Sequence, residues 1–99
     1  MITELSNNNF EEQVRNGLKL VEFMAPWCSF CSKQRNVLDE FDKVWIGTVD
    51  TDKQPELSRK YSINALPTFI IFKNGKIVEK FSGLHSKFEI MDILNKHIV

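Results

Sequence analysis

An α/β domain with a central mixed β-sheet and helices on both of its faces is the fold class this sequence predicts. Three observations carry that expectation. Leu18–Met24 and residues 68–72 are almost unbroken apolar runs, the pattern of strands covered on both faces. Segments with helical spacing of apolar residues separate these runs from each other and from a third strand at 45–50. Asn74-Gly75 is a strong hairpin turn, so the last two strands run antiparallel. Strands separated by helices and closed by a hairpin make a mixed sheet.

The elements follow in order. Residues 2–5 form a short edge strand. Asn8 and Asn9 cap a helix over 10–16, with Glu11 and Glu12 in its first turn and Gly17 as its stop. Leu18–Met24 is the first central strand. A long helix over 28–43 places Gln34, Val37, Leu38 and Phe41 on one stripe. The strand at 45–50 is followed by a short helix over 55–61, with Pro55 at a tolerated first position. The strand at 68–72 then returns through the turn as Lys76–Ser82. Ser86-Lys87-Phe88-Glu89 has the capping-box pattern and opens a last helix, with Ile90, Ile93, Leu94 and Ile98 facing inward. Trp45 and the phenylalanines other than Phe30 read as core. The predicted order is β α β α β α β β α.

Ninety-nine residues fit one domain, 1–99, and leave no room for a second. Such a chain buries roughly 60–70% of the surface its unfolded form exposes, so a core forms without staples. Thirteen basic and thirteen acidic side chains cancel, which removes any electrostatic case for nucleic acid or an anionic membrane. No apolar run approaches the ~18 residues of a membrane span. Residues 1–12 are polar and acidic, without a basic start or an apolar stretch, and read as lacking a signal peptide. The cytoplasm is the expected compartment. Cysteine usage agrees, with two in one motif and none left for a structural framework.

That motif is Trp27-Cys28-Ser29-Phe30-Cys31. If Cys28 opens the helix, positions i and i+3 share a face at roughly 5–6 Å. A disulfide needs alpha carbons about 4.4–6.8 Å apart, so the pair is within bonding reach. Unpaired backbone N–H groups and the positive helix end lie near the first sulfur, and both favour a thiolate, the form that attacks disulfides. The arrangement suits a bond that opens and closes. Half a zinc site is the alternative, but it requires two more soft ligands, and only His85 and His97 are on offer at unsuitable spacing. Both histidines read as surface or helix-end residues; His97 near the last helix's C-terminus is favoured there when protonated.

The segment from Leu20 through Val21-Glu22-Phe23-Met24-Ala25-Pro26-Trp27 to Cys28, then Cys31, Val49-Asp50, Leu66-Pro67-Thr68, Lys73-Asn74-Gly75 and Gly83 form an ordered set. On these residues the chain resembles the thioredoxin family over nearly its whole length. The resemblance implies the thioredoxin fold and a redox-active Cys28–Cys31 disulfide, with Cys28 as the exposed nucleophile and Cys31 as the resolving thiol. It implies that Pro67 is a cis proline facing the pair, and that Leu66 before it pairs its backbone with an extended substrate segment. Four departures stand out. Ser29-Phe30 replaces the usual Gly-Pro, Asn36 stands where a helix-kinking proline usually falls, and Glu22 replaces the usual buried aspartate. Glu22 and Ala25-Pro26-Trp27-Cys28 are more like protein disulfide isomerase domains. A lysine often found opposite the acid is absent, with Ile46 at the matching place.

Two readings attach to several of these residues. Glu22 alternates onto one strand face with Leu18, Leu20 and Met24, so it points into apolar packing. Burial raises a carboxyl's pKa, and a raised acid behind a dithiol can take the proton from Cys31. Otherwise Glu22 is partly hydrated and merely tolerated. Trp27 is either an exposed platform beside the cysteines or a core aromatic. Phe30 either widens apolar contact with substrate or is a near-neutral substitution. With Leu66, Pro67 and Gly83 these two aromatics are the candidate substrate-binding residues.

The function expected is a thiol–disulfide oxidoreductase that reduces protein disulfides through a mixed disulfide, as a monomer and without a bound cofactor. By resemblance its electron donor is a thioredoxin reductase fed by NADPH. A disulfide isomerase or oxidase, and a non-catalytic peptide-binding module, are the alternatives. Nothing between the cysteines is a histidine, which argues for a reductant.

Overall fold

In the computed structural model, which describes residues 1–98, the order of elements is the predicted one. The strands are β1 (Ile2–Glu4), β2 (Leu18–Met24), β3 (Ile46–Asp50), β4 (Thr68–Lys73) and β5 (Lys76–Ser82). The helices are α1 (Phe10–Val14), α2 (Ser29–Leu38), α3 (Pro55–Lys60) and α4 (Lys87–Asn95). The sheet order is β1-β3-β2-β4-β5, with β1, β3 and β2 parallel and β4 and β5 antiparallel to their neighbours. The two almost unbroken apolar runs are thus β2 and β4, two of the three inner strands, as their composition requires.

Period-two alternation divides the core between the two faces. Val21 and Phe23 of β2 and Ile70 and Phe72 of β4 pack with Phe10 and Val14 of α1 and Leu57 of α3. Leu20 of β2 and Phe69 and Ile71 of β4 pack with Leu38 of α2 and Ile90 and Leu94 of α4. Each fully buried large side chain here contributes roughly 1.5–3 kcal/mol. The Asn74-Gly75 turn has positive φ at both residues, 51° and 83°, as a tight type I′ hairpin demands.

Several local expectations are corrected. α1 ends at Val14 and receives no side-chain cap. Asn9 turns its Oδ1 back to accept from the Ser6 N–H at 2.8 Å, closing the preceding turn instead. α2 stops at Leu38, five residues short of the expected end; Glu40 and Phe41 donate to the carbonyls three residues back, which tightens and terminates the helix. Phe41 is buried nonetheless, beyond the helix rather than on it. Ile98 lies past the end of α4 and Phe88 faces away from the Ile90–Leu94 stripe, so both are exposed. The capping box is present, with Glu89 N–H donating to Ser86 Oγ and Ser86 N–H to Glu89 Oε1.

Gly47 on β3 lies beneath Leu5 and the Trp45 indole, where an added Cβ would come within 2.7 Å of both. Gly47→Ala is expected to destabilise the fold by about 1–3 kcal/mol through overpacking. A urea midpoint unchanged from the parent's would contradict this account of the Trp45 packing.

Candidate active site: a dithiol at a helix N-terminus

β2 ends at Met24, and the chain turns through Ala25, Pro26 and Trp27 before α2 begins. Cys28 is the N-cap of α2, and its Sγ accepts the Cys31 backbone N–H at 3.2 Å. A cap acceptor satisfies one of the orphan donors of the first turn, so the sulfur sits where negative charge is best received. Both cysteines are free thiols and both are buried, so Cys28, at 8% exposure, is less open than the exposed nucleophile expected from sequence. Cys31 is almost wholly buried, at 3% exposure. Burial, and next the hydrogen bond its thiol donates to Cys28, push the Cys31 thiol up to about 12. Cys31 therefore needs a base before it can react at neutral pH.

Glu22 brings a carboxyl to the cavity that Cys31 also lines. It is 2% exposed on the face predicted for it, in a row with Thr48 of β3 and Phe69 of β4. Burial raises its pKa from 4.5 to about 7, opposed by the Arg35 guanidinium. Among the described residues its Oε2 has no hydrogen-bond partner. A cavity of about 180 Å³ lies behind the dithiol, lined by Glu22, Cys28, Cys31, Ser32 and Arg35 among others. That space accommodates several waters, each taking about 30 Å³ of liquid volume. The residue across from Glu22 on β3 is Thr48; Ile46, assigned to that place from sequence, stands opposite Leu20.

A second cleft of about 470 Å³ opens on the other side of Cys28, lined by Trp27, Phe30, Ile63, Ala65 and Leu66 together with polar Ser58 and Thr51. Trp27 is 71% exposed, and its Nε1–H donates to Asp52 Oδ2 at 3.0 Å. Phe30 is 55% exposed, with the Lys33 ammonium 6.0 Å from its ring centre. The Leu66–Pro67 peptide is cis. Its loop is tied down by Thr68 Oγ1, which donates to the Ala65 carbonyl and contacts Ser82 Oγ. Gly83 does not line the cleft; its N–H donates to the Pro67 carbonyl at 2.9 Å.

Other contacts escaped the sequence reading. Gln34, expected as part of an inward stripe, is fully buried and exchanges two hydrogen bonds with the His85 backbone, pinning α2 to the loop before α4. His97 pairs with Glu79 at 2.7 Å, while His85 packs edge-on against Phe69 and Phe81. Arg35 had a legible signal, since it follows Cys28 by seven residues and Cys31 by four along one helix face. Among the described residues, no three His, Cys, Asp or Glu side chains are grouped to hold a metal ion, and no helix is long and apolar enough to cross a membrane.

A dithiol capping a helix, backed by a buried acid and fronted by a cis-proline loop, defines a thiol–disulfide exchange protein. The comparisons agree. The thioredoxin family model matches residues 1–96. The chain is 34% identical to the thioredoxin of Staphylococcus haemolyticus, with 98% of each chain covered. It is 37% identical to the thioredoxin of Chlamydia trachomatis serovar D, covering 98% of this chain and 99% of that one. The crystal structure of Malassezia sympodialis thioredoxin superposes with a TM-score of 0.83 at 27% identity, covering 100% of this chain and 92% of the other. The chain belongs to the thioredoxin family, and it is a thiol–disulfide oxidoreductase with the thioredoxin fold.

Proposed function

We propose that this protein reduces disulfides in other proteins, with the buried Cys31 thiol beside Glu22 as the observation that carries the reading. The Cys28 thiolate attacks one sulfur of the substrate disulfide. A mixed disulfide forms, and the other substrate sulfur leaves as a thiolate and takes up a proton. Cys31 then gives its proton to the Glu22 carboxylate, directly or through water in the cavity, and attacks Cys28 Sγ. The Cys28–Cys31 bond closes, the second substrate sulfur leaves, and two electrons have passed to the substrate.

The substrate-binding surface is the cleft beside Cys28. Trp27, held by Asp52, and Phe30 offer exposed aromatic area, while Leu66 before the cis Pro67 offers backbone groups to an extended segment. Gly83 supports that loop through the Pro67 carbonyl. The oxidised pair is recharged by an NADPH-fed thioredoxin reductase, and the protein works as a cytoplasmic monomer of one domain without a bound cofactor. The family membership supports these assignments.

Direction is tested by equilibrating the Cys28–Cys31 couple with glutathione. Potentials for this fold run from about −270 mV for reductants to about −120 mV for the strongest oxidant. Serine and phenylalanine between the cysteines bring no positive charge to the site, so a value nearer the first is expected. A value above about −180 mV moves the protein to the isomerase or oxidase class.

A further inference from the structure

We propose that Arg35 is a positioning residue for the resolving step: from the helical turn below Cys31 it places positive charge at the cavity shared with Glu22 and so keeps that acid available as a carboxylate. The inference rests on the assignment of Glu22 as proton acceptor and adds the group that tunes it.

Helix geometry carries the argument. Cys28, Cys31 and Arg35 fall at i, i+3 and i+7, so all three share the face of α2 that covers the cavity. Glu22 enters the same cavity from β2, with Oε2 unpartnered. Arg35 is the positive charge that opposes burial there, and it is the cation among the residues lining the cavity. Thr48, which carries no charge, fills the position facing Glu22 on β3. The compensating charge thus comes from the helix instead of the strand.

The remaining surroundings of Glu22 decide which way this charge acts. From β4 the neighbour is apolar Phe69, and α4 contributes Ile90 to the same core. On β3 and β1 the nearest ionisable groups, Asp50 and Glu4, are acidic and line an adjoining cleft with Arg35. Glu4 is paired with Lys53 at 3.5 Å. Arg35 itself is half exposed and held at Nε by Asp39 Oδ1 at 3.3 Å, which keeps it anchored at the cavity rim while solvent weakens its field. Removing Arg35 leaves burial unopposed at Glu22, and the carboxyl then holds its proton to higher pH.

The test is rapid mixing of the reduced protein with Ellman's reagent, an aromatic disulfide whose two thiolate products are released separately. The first phase reports attack by Cys28; the second reports attack by Cys31 on the mixed disulfide. In the parent, the second phase is expected to rise with pH through about 7. In Arg35→Met that midpoint moves up by about 0.5–1 pH unit, slowing the second phase roughly 3–10-fold at pH 6, and Arg35→Lys restores most of the rate. Carboxyl carbon NMR of Glu22 is expected to show the same displacement without reference to turnover. An unmoved midpoint in Arg35→Met, or an equal slowing at every pH, overturns the proposal and assigns Arg35 a structural role. If instead Glu22→Gln leaves the second phase's pH dependence intact, the assignment of Glu22 itself fails, and this inference falls with it.

Discussion

Cys28→Ser is expected to lower the rate of protein-disulfide reduction by at least about 10⁴-fold while the folded state keeps its stability within about 1 kcal/mol. The chemistry is lost because a hydroxyl is far less acidic than a thiol and forms no stable bond to a leaving sulfur. The fold is kept because the substitution is nearly isosteric at an N-cap. Cys28 Sγ already accepts the Cys31 N–H at 3.2 Å, and serine is among the residues that cap helices best. The cleft formed by Trp27, Phe30 and Leu66 is untouched, so affinity for a substrate segment should survive. Cys31→Ser separates the two steps: attack by Cys28 proceeds, but the mixed disulfide has no resolving thiol and accumulates, visible by intact-mass measurement. Reduction by Cys28→Ser at the parent rate would overturn the nucleophile assignment. Failure of Cys31→Ser to accumulate adduct would overturn the assignment of the resolver.

What was legible in the sequence and what was not divide along physical lines. Element type was readable wherever one periodicity dominated: the apolar runs became two of the inner strands, and Asn74-Gly75 became the turn that only positive φ permits. Element ends were not, because they depend on partners far along the chain. α1 closes early where Gly17 and Asn74 exchange two hydrogen bonds, a contact between residues 57 positions apart. Ile98 kept the apolar spacing of α4 but lies beyond its end and is exposed. At the site, residue types adjacent in sequence were found at once. Those brought together by register were not, and Thr48 opposite Glu22 shows why: a strand pair is fixed by its ladder, and an offset of two residues preserves the facing side while changing the neighbour. Arg35 was passed over because a charged residue on a helix is ordinarily a solvated one.

Glu22→Gln is expected to flatten the pH dependence of stability between pH 5 and 8 and to slow the Cys31 step about 10–100-fold at neutral pH. The sign follows from protons bound. The folded state holds the Glu22 proton up to about pH 7, whereas the unfolded chain releases it near 4.5. Between those values the folded state binds more protons, so stability falls as pH rises, and above about 7 the loss is complete. A displacement of that size corresponds to about 3 kcal/mol, the cost of an anion that is 2% exposed and has an oxygen without a partner. Glutamine carries no charge to desolvate but leaves a buried amide to satisfy, at about 1–3 kcal/mol. The variant should therefore be the less stable protein at pH 5 and gain on the parent by about 3 kcal/mol by pH 8. Urea denaturation of both proteins at the two pH values measures this directly, and the difference between them cancels every other titrating group, the His97–Glu79 pair included. Parallel stability profiles would show that Glu22 ionises at an ordinary carboxylate pH and cannot be the acceptor described above. A flattened profile with an unchanged Cys31 step would show that burial of the acid serves the fold alone. Both changes together would mean that the site holds a destabilising charge because the second half of the exchange reaction requires a base inside the protein.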